Sequence, residues 1–300
     1  MQTEPAANVI IETAAPARQA SEARRIFRVM FSRWIVAVGA FIIIAIILVV
    51  IFAPLVAPYN PNKQALEIRL QQPTREHVLG TDELGRDVLS RVIFGTRISL
   101  MVGLLVISIA SLIGMSLGIL AGYFGRWTNN VIMRITDAMM SLPPLVLALA
   151  IATAIGGGLK GVILSLGIAM VPGYCRLMCG QVLSIKEDDY ITGARSLGAR
   201  DSRVMLRHIL PNAFPPLLVL LTLTIGSAIL SEAGLSFLGI GVEPGTATWG
   251  SMVSDGYKYL FTNPLLSFAP GIAITLTVLS FNMVGDGLRD ALDPRLRGTL

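Results

Sequence analysis

The chain has 300 residues, a mean hydropathy of +0.69 and 14% charged residues, whereas a soluble domain carries about 25%. Its 24 basic and 19 acidic residues give a formal net charge of +5. These values exclude an ordinary soluble enzyme, and several apolar runs reach the roughly 20 residues that cross a bilayer.

Six segments have this length and character, so we predict an all-α polytopic membrane protein with six transmembrane helices. The third segment contains Pro143 and Pro144, which neighbouring helices can accommodate inside a membrane bundle. The first is predicted to remain uncleaved, because its polar leader is long and prolines occupy the expected cleavage region. The six segments are Trp34–Val56, Ile98–Tyr123, Val131–Ile155, Leu159–Cys179, Phe214–Ile240 and Leu265–Val284.

The distribution of arginines predicts the orientation, because cytoplasmic loops carry an excess of Lys and Arg. The leader, residues 1–33, is arginine-rich and is predicted to be cytoplasmic, and six crossings return the basic tail, residues 287–300, to the same side. Residues 57–97 then lie outside, although this loop also carries several bases and weakens the rule. The arginines of the two termini are Arg18, Arg24, Arg25, Arg28, Arg33, Arg289, Arg295 and Arg297.

Within the outer loop, the stretch Leu79–Gly95 (LGTDELGRDVLSRVIFG) is predicted to form an amphipathic helix. Thr81 or Asp82 could cap its start, and the acid-first spacing predicts the pairs Asp82–Arg86 and Asp87–Arg91. Both acids are expected to face water. The helix could lie in the membrane surface or contact an extracytoplasmic partner.

Catalytic patterns are missing from the sequence. No G-x-x-x-x-G-K-[ST] occurs, and His77 and His208 are the only histidines, so neither a phosphate loop nor a Ser/His/Asp set is present. Cys175 and Cys179 are predicted to be two ordinary buried thiols, because a zinc site needs about four ligands. We therefore expect no catalysis and no cofactor or metal in this chain.

Charged residues inside the predicted spans are few, and an ionisable group in a membrane points to a functional site. Arg134 and Asp137 are spaced to pair at the start of the third span. Glu232 lies deeper, in the fifth span, where it could serve function or be hydrogen-bonded to Ser231 and Ser236. These three charges are our candidate substrate-pathway residues.

A polar stretch, DDYITGARSLGARDSRVMLRHILPN (Asp188–Asn212), separates the fourth and fifth spans and is predicted to be cytoplasmic. A first helix would carry Tyr190 and Leu197 on its apolar face. Gly198 would end that helix with a positive φ. A second helix would begin near Asp201 and stop at Pro211. This helix–turn–helix could bind lipid head groups or fit a groove of another protein.

The spacing of this stretch resembles the EAA loop of binding-protein-dependent ABC importer permeases. That loop has E-A-A, three residues, glycine and nine residues before I-x-L-P. Thr192, Gly193 and Ala194 occupy the E-A-A positions, Gly198 is the glycine, and Leu210 and Pro211 form the final pair. Thr192 in place of the acid and His208 in place of the isoleucine depart from the pattern.

Three further segments resemble the dipeptide/oligopeptide/nickel group of these permeases, and specifically its C-type subunit. The likeness covers about residues 25–300. The segments are LGTDELGRDVLSR from Leu79, GLSFLGIGVEPGTATWGSM (Gly234–Met252) and FNMVGDGLRDALDPRLRG (Phe281–Gly298).

The resemblance implies a type I ABC importer permease in the bacterial inner membrane, with a core domain at residues 98–286 and a coupling loop at 184–212. A homologous partner permease, two cytoplasmic ATPase subunits that bind ATP and Mg²⁺, and an extracytoplasmic binding protein would complete it, without nucleic acid. Contact with the ATPase would involve Tyr190, Thr192, Gly193, Ala194, Leu197, Gly198, Leu210 and Pro211.

The expected cargo is a di- or oligopeptide, and a nickel or other small-solute importer is the alternative. A carrier independent of ATP and a membrane scaffold are further alternatives. The absence of a visible internal repeat and of a relay of intramembrane acids and histidines disfavours the carrier.

Overall fold

A computed structural model describes residues 29–243 and 245–292, and it is helical throughout its membrane part. Most of the predicted leader and the last eight residues of the tail lie outside these ranges. The helices are α1 (Trp34–Val56), α2 (Val88–Phe124), α3 (Arg126–Met140), α4 (Pro144–Ile155), α5 (Gly158–Ile185), α6 (Asp189–Ser196), α7 (Asp201–Phe237), α8 (Trp249–Tyr257) and α9 (Leu265–Leu292).

The core is built on the packing of α2 against α5, which depends on glycine. Gly114, Gly118 and Gly122 recur every fourth residue along one face of α2. A Cβ at Gly118 would lie 2.5 Å from the Cys175 carbonyl oxygen, and one at Gly122 would lie 2.7 Å from the Val182 Cβ. Small residues at this spacing let two membrane helices approach closely.

The same contacts show that α2 and α5 run parallel, because positions later in α2 meet positions later in α5. The chain between them must therefore cross the membrane once. That crossing is the third predicted span, which is broken between Met140 and Pro144 into α3 and α4, bent by 95°. Counted as one span, it brings the described part of the chain to six crossings, as predicted.

Both ends of the bundle's chain lie on one side. Arg33, just before α1, pairs with Asp290 near the end of α9 at 2.7 Å. An even number of crossings requires this arrangement. Which side faces the cytoplasm stays a prediction.

The predicted amphipathic helix at Leu79–Gly95 is wrong in its first half. Residues 79–87 form a turn and bend, and the helix begins at Val88 as the start of α2. The cap is Asp87, whose carboxylate accepts from the Ser90 backbone N–H at 2.8 Å. A turn replaces the helix because the Asp82 carboxylate accepts from the Leu84 and Arg86 N–H groups, each at 2.9 Å, and Gly85 has φ +70°.

The two acids of the predicted outer loop do not face water as predicted, because Asp87 is buried and Asp82 is partly buried. Asp82 pairs with Arg86 at 2.6 Å, as predicted, but Arg91 lies 3.5 Å from Asp82 and not with Asp87. Asp87 instead contacts His77 at 2.9 Å. The predicted pair fails because the turn aims the Asp82 carboxylate toward α2.

Asp255 of α8 lies with Asp82, Arg86 and Arg91 around one small pocket, and these residues form a charged cluster. Burial, and then the nearby Glu83 carboxylate, raise the pKa of Asp255 above its ordinary value, against the lowering effect of Lys258, Arg91 and Arg86. The cluster joins the outer loop, the start of α2 and α8 through charge.

An arginine of α2 completes the end of α1. Pro54 lies inside α1 and has no N–H, so the Val50 carbonyl loses its helical partner. Arg97 replaces it by donating to the Val50 oxygen at 2.6 Å and to the Ile51 oxygen at 3.2 Å. One of the bases of the predicted outer loop therefore has a structural role at the end of α1.

The prediction that Pro211 stops a helix is wrong. The chain is helical from Asp201 to Phe237, through Pro211, Pro215 and Pro216. A π-helical turn at Val204–Ile209 precedes Pro211, and such local adjustments re-pair the groups that proline leaves free. The second helix of the predicted hairpin and the fifth span are therefore one helix.

Candidate coupling segment and pathway surface

The predicted coupling helix is present as α6, and its end is built by hydrogen bonds. The Gly198 N–H donates to the Arg195 carbonyl at 2.9 Å, and the Ala199 N–H donates to the Ala194 carbonyl at 3.1 Å. This pair of bonds is the Schellman arrangement, which needs a left-handed residue. Gly198 supplies it with φ +80°, so the sequence prediction for this glycine is confirmed.

The base of the segment is anchored in the protein core. Ile191, Val204 and Ile209 are each 0% exposed and belong to the main apolar cluster. Asn212 of α7 donates to the Tyr190 hydroxyl at 3.0 Å, tying α6 to the helix that follows. Burial and the neighbouring Asp188 carboxylate raise the pKa of the Tyr190 hydroxyl.

Tyr123, at the end of α2, is a residue of this site that sequence reasoning missed. Its hydroxyl donates to the Asp201 carboxylate at 2.5 Å, and the Arg195 guanidinium lies 5.0 Å from its ring centroid. A cation over an aromatic face is attracted by the ring. The chance of finding it from sequence was small, because Tyr123 and Asp201 are 78 residues apart.

The outer surface of the segment is open. Leu197 is 90% exposed and Leu206 is 64% exposed. Thr192 and Gly193 are exposed, Ala194 and Leu210 are partly buried, and Pro211 is exposed on α7. The arrangement presents apolar side chains on a fixed base.

The three predicted pathway charges do not come together. Asp137 of α3 is paired with Arg176 of α5, not with Arg134 as predicted. Arg134 lies on the exposed side of α3. The i, i+3 spacing does not produce a pair because Asp137 meets the guanidinium of the neighbouring helix, a contact that sequence spacing does not reveal.

Glu232 lies elsewhere and is 1% exposed. Its carboxylate accepts from Ser236 at 2.9 Å and from the Thr248 hydroxyl at 3.1 Å; the predicted Ser231 contact is absent, since Ser231 donates to the Ser227 carbonyl. Thr248 caps α8. A carboxylate beside a helix N-terminus is favoured there, so Glu232 joins α7 to α8.

An open hollow of about 470 Å³ lies between the break in the third span, the middle of α5 and α7. Its walls include Met139, Met140, Met170, Gly173, Tyr174 and Ser227. Asp137 and Arg176 neighbour these walls in the chain.

Cys175 and Cys179 are buried free thiols, as the spacing predicts. Thr136 donates to the Cys175 sulfur at 3.7 Å and Asn129 donates to the Cys179 sulfur at 3.3 Å. In the two described ranges, no group of three or more metal-ligating side chains is found. Both cysteines are part of the buried packing of α5.

Comparisons with known proteins agree with this architecture. The family described as "Binding-protein-dependent transport system inner membrane component" matches residues 114–298, and the "N-terminal TM domain of oligopeptide transport permease C" matches residues 21–73. In fold alone, the chain is similar to the inward-facing MetNI methionine ABC transporter. The TM-score is 0.56 at 19% identity, with 68% of this chain and 98% of that chain covered.

Curated relatives are more similar in sequence. A dipeptide transport system permease protein of Alkalihalophilus pseudofirmus is 40% identical over 274 residues, which cover 91% of this chain and 90% of the relative. A probable D,D-dipeptide transport system permease protein of Escherichia coli is 43% identical, with 87% of each chain covered. A glutathione transport system permease protein of Pectobacterium atrosepticum is 40% identical, also with 87% of each covered.

Relatives of this kind are transport permeases rather than enzymes, and with its membrane-spanning helices the chain is a multi-pass inner-membrane protein. The chain therefore belongs to the inner-membrane components of binding-protein-dependent transport systems, as a C-type permease of the dipeptide/oligopeptide/nickel group of ABC importers.

Proposed function

We propose that this permease forms half of the translocation pathway of an ATP-driven importer of di- and oligopeptides. Residues 188–212 couple it to a separate ATPase. The observation that carries the proposal is the contrast within one short segment, where Ile191 is 0% exposed and Leu197 is 90% exposed. A helix whose base is locked and whose apolar tip is free suits docking into a groove of another protein.

The segment also has the stiffness of a lever. The turn at Gly198, which we call the elbow, joins α6 to α7, and its two backbone hydrogen bonds fix the angle between them. Tyr123 fixes α2 to the same elbow through Asp201 and Arg195. Force applied at Leu197 would therefore reach both spanning helices as a rigid-body movement, the kind of change that alternates a transporter between inward- and outward-facing states.

Thr192 stands where the loop pattern has an acid, so a charge-assisted contact from that position cannot form. Glu187 and Asp188, before α6, and Arg200, Arg203 and Arg207, at the start of α7, are all exposed and can supply polar contacts instead. The contact with the ATPase then depends on apolar burial at Leu197 and on these charged groups.

The assembly has a homologous partner permease, two cytoplasmic ATPases that hold ATP and Mg²⁺, and an extracytoplasmic binding protein. Both termini are cytoplasmic. Arginines at the two ends and the Arg33–Asp290 contact support this orientation. The missing phosphate loop supports nucleotide binding by other chains.

Peptide is favoured as cargo because the three relatives described above are named for dipeptide, D,D-dipeptide and glutathione transport. Nickel or another small solute is the alternative. Soft or imidazole ligands would suit Ni²⁺. The two thiols are buried in helix packing, so they do not favour nickel as the cargo.

The test is reconstitution with the partner permease, the ATPases and the binding protein in proteoliposomes. Uptake of labelled tri-alanine should require ATP, and Leu197→Asp should abolish uptake and weaken co-purification of the ATPase. Val78→Asp is the matched control, because Val78 is an exposed apolar residue (56%) of the predicted outer loop. Uptake without ATP, or full uptake by Leu197→Asp, would refute the coupling proposal.

A further inference from the structure

The Asp137–Arg176 ion pair is unusual because it joins two membrane-spanning segments and is nevertheless exposed. Both residues lie within helices of the spans, and their side chains are 56% and 55% exposed. Arg176 is roughly nine residues, or about 14 Å, from the end of α5 at Ile185. Charged side chains within spans face a bundle interior or a water-filled cavity rather than lipid.

An apolar hollow adjoins the ion pair along the chain. The hollow of about 470 Å³ is lined by methionines of α3 and α5, by the small Gly173 and by hydroxyl residues of α7. Methionine is flexible and polarizable, so it adapts to side chains of different shape. The charged residues are not part of this lining, but Asp137 lies two residues from Met139 and Arg176 two residues from Tyr174, so the charges adjoin an adaptable apolar wall.

The charged residues of this region, Arg134, Asp137 and Arg176, carry more positive than negative charge. Arg134 is exposed on α3, three residues before Asp137, and in the described part of the chain it forms no ion pair. Two guanidinium groups and one carboxylate thus occupy this face. A free peptide carries one ammonium and one carboxylate, and arginine recognises carboxylates in a two-pronged geometry.

We propose that Arg134, Asp137 and Arg176 form a binding site for the two termini of a zwitterionic peptide within the translocation pathway, with its side chains against the methionine-lined hollow. The assignment rests on the importer function proposed above. Asp137 accepts from the peptide ammonium, and Arg176 and Arg134 donate to its carboxylate. Because exposed ion pairs are weak, the peptide can displace the resting Asp137–Arg176 contact and later leave.

Glu232 is excluded from this site. It is buried beneath α8 and bonded to Thr248 and Ser236. A peptide could reach it only after α8 had moved away.

The first experiment varies the ligand and leaves the protein unchanged. The complete membrane complex, without the binding protein, is placed in lipid nanodiscs, and saturation-transfer NMR measures binding of tri-alanine, N-acetyl-tri-alanine and tri-alanine amide. Tri-alanine should give a signal, and blocking either terminus should reduce it several-fold. Equal signals from the three ligands, or no signal from a complex that transports, would overturn the proposal.

The second experiment varies the protein. Arg176→Gln should lower the kcat of tri-alanine uptake by about tenfold, the effect of losing one charge-assisted hydrogen bond. KM, which is set by the binding protein, and stimulated ATP hydrolysis should change little. Arg176→Lys should recover part of the rate, and Lys160→Gln, at the other end of the same helix, should be silent.

A purely structural ion pair makes the opposite prediction for a double variant. Removing one partner leaves a lone charge, whereas removing both relieves it. If the pair binds peptide, Asp137→Asn/Arg176→Gln should therefore import tri-alanine as slowly as either single variant. Recovery of the uptake rate in the double variant would contradict the binding site. Absence of ATP-driven uptake by the unmodified complex would refute the importer proposal itself, whereas normal uptake by Arg176→Gln would refute only the binding site.

Discussion

Replacement of Gly198 tests the elbow of the coupling segment with little steric disturbance. A Cβ at Gly198 would meet nothing within 4 Å, but the residue has φ +80°. The cost is therefore conformational, about 1–2 kcal/mol for most residues with a Cβ, higher for a β-branched one and lower for asparagine. Relieving the strain would break the bonds to Arg195 and Ala194, at about 0.5–1.5 kcal/mol each.

The expected order of coupling is therefore wild type, Gly198→Asn, Gly198→Ala and Gly198→Val, with Gly198→Val inserted in the membrane but inactive. A loss of about 1.4 kcal/mol lowers the equilibrium constant for forming the native elbow about tenfold. The assay is the ratio of tri-alanine imported to ATP hydrolysed in proteoliposomes. Gly271→Ala is the matched control, because its Cβ also meets nothing within 4 Å and its φ is ordinary. Wild-type coupling by Gly198→Val would refute the reasoning.

Three other predictions concern stability, measured as the thermal midpoint of the purified complex. Arg97→Leu should lower the midpoint, and less so in a Pro54→Ala background, because alanine restores an N–H to the Val50 carbonyl; equal losses in both backgrounds would contradict this. Gly250→Ala should cost about 1–3 kcal/mol, because its Cβ would lie 2.5 Å from the Ala233 Cα; an unchanged midpoint would show that α8 is not packed against α7. The raised pKa of Asp255 means that its ionisation opposes folding, so stability is highest below the ordinary value of 3.8 and falls as pH rises. Asp255→Asn should therefore raise the midpoint at pH 7, with a benefit that fades toward pH 4, and a constant benefit would refute the assignment.

The spans were predictable because a bilayer imposes a length and an apolar composition on any helix that crosses it. Trp34–Val56 agrees with its prediction to the residue. The start of α2 was not predictable, because Leu79–Asp87 has helical spacing of charges. The turn depends instead on the Asp82 carboxylate, which accepts from the Leu84 and Arg86 N–H groups, and on the positive φ of Gly85. Hydropathy also could not show that the chain stays helical through Pro211, since a π-helical turn compensates for the missing N–H.

The geometry of the proposed coupling segment was predictable in part. Gly198 could be placed from its position after a short amphipathic pattern, because a left-handed residue there is a local requirement. Tyr123 and Arg176 could not, because each acts through a partner far along the chain. Local spacing instead suggested Arg134 as the ion-pair partner of Asp137. Arg134 and Arg176 carry the same charge, and only the packing of α3 on α5 distinguishes them.

For the coupling proposed above, helix α2 supplies a route from residues 188–212 to the opposite end of the protein. Helix α2 is unbroken for 37 residues, about 55 Å at 1.5 Å per residue. At one end its Tyr123 holds Asp201 of the elbow. Near the other, the Val92 carbonyl and the Ser99 hydroxyl accept from the Trp249 side chain and backbone at the start of α8, each at 3.0 Å. Gly114, Gly118 and Gly122 pack the end of α2 nearest Tyr123 closely on α5, which opposes bending there. A displacement at Leu197 therefore has a continuous rigid element through which to move α8, and the ion pairs of Asp82 with Arg86 and Arg91 hold the outer loop to the same helix.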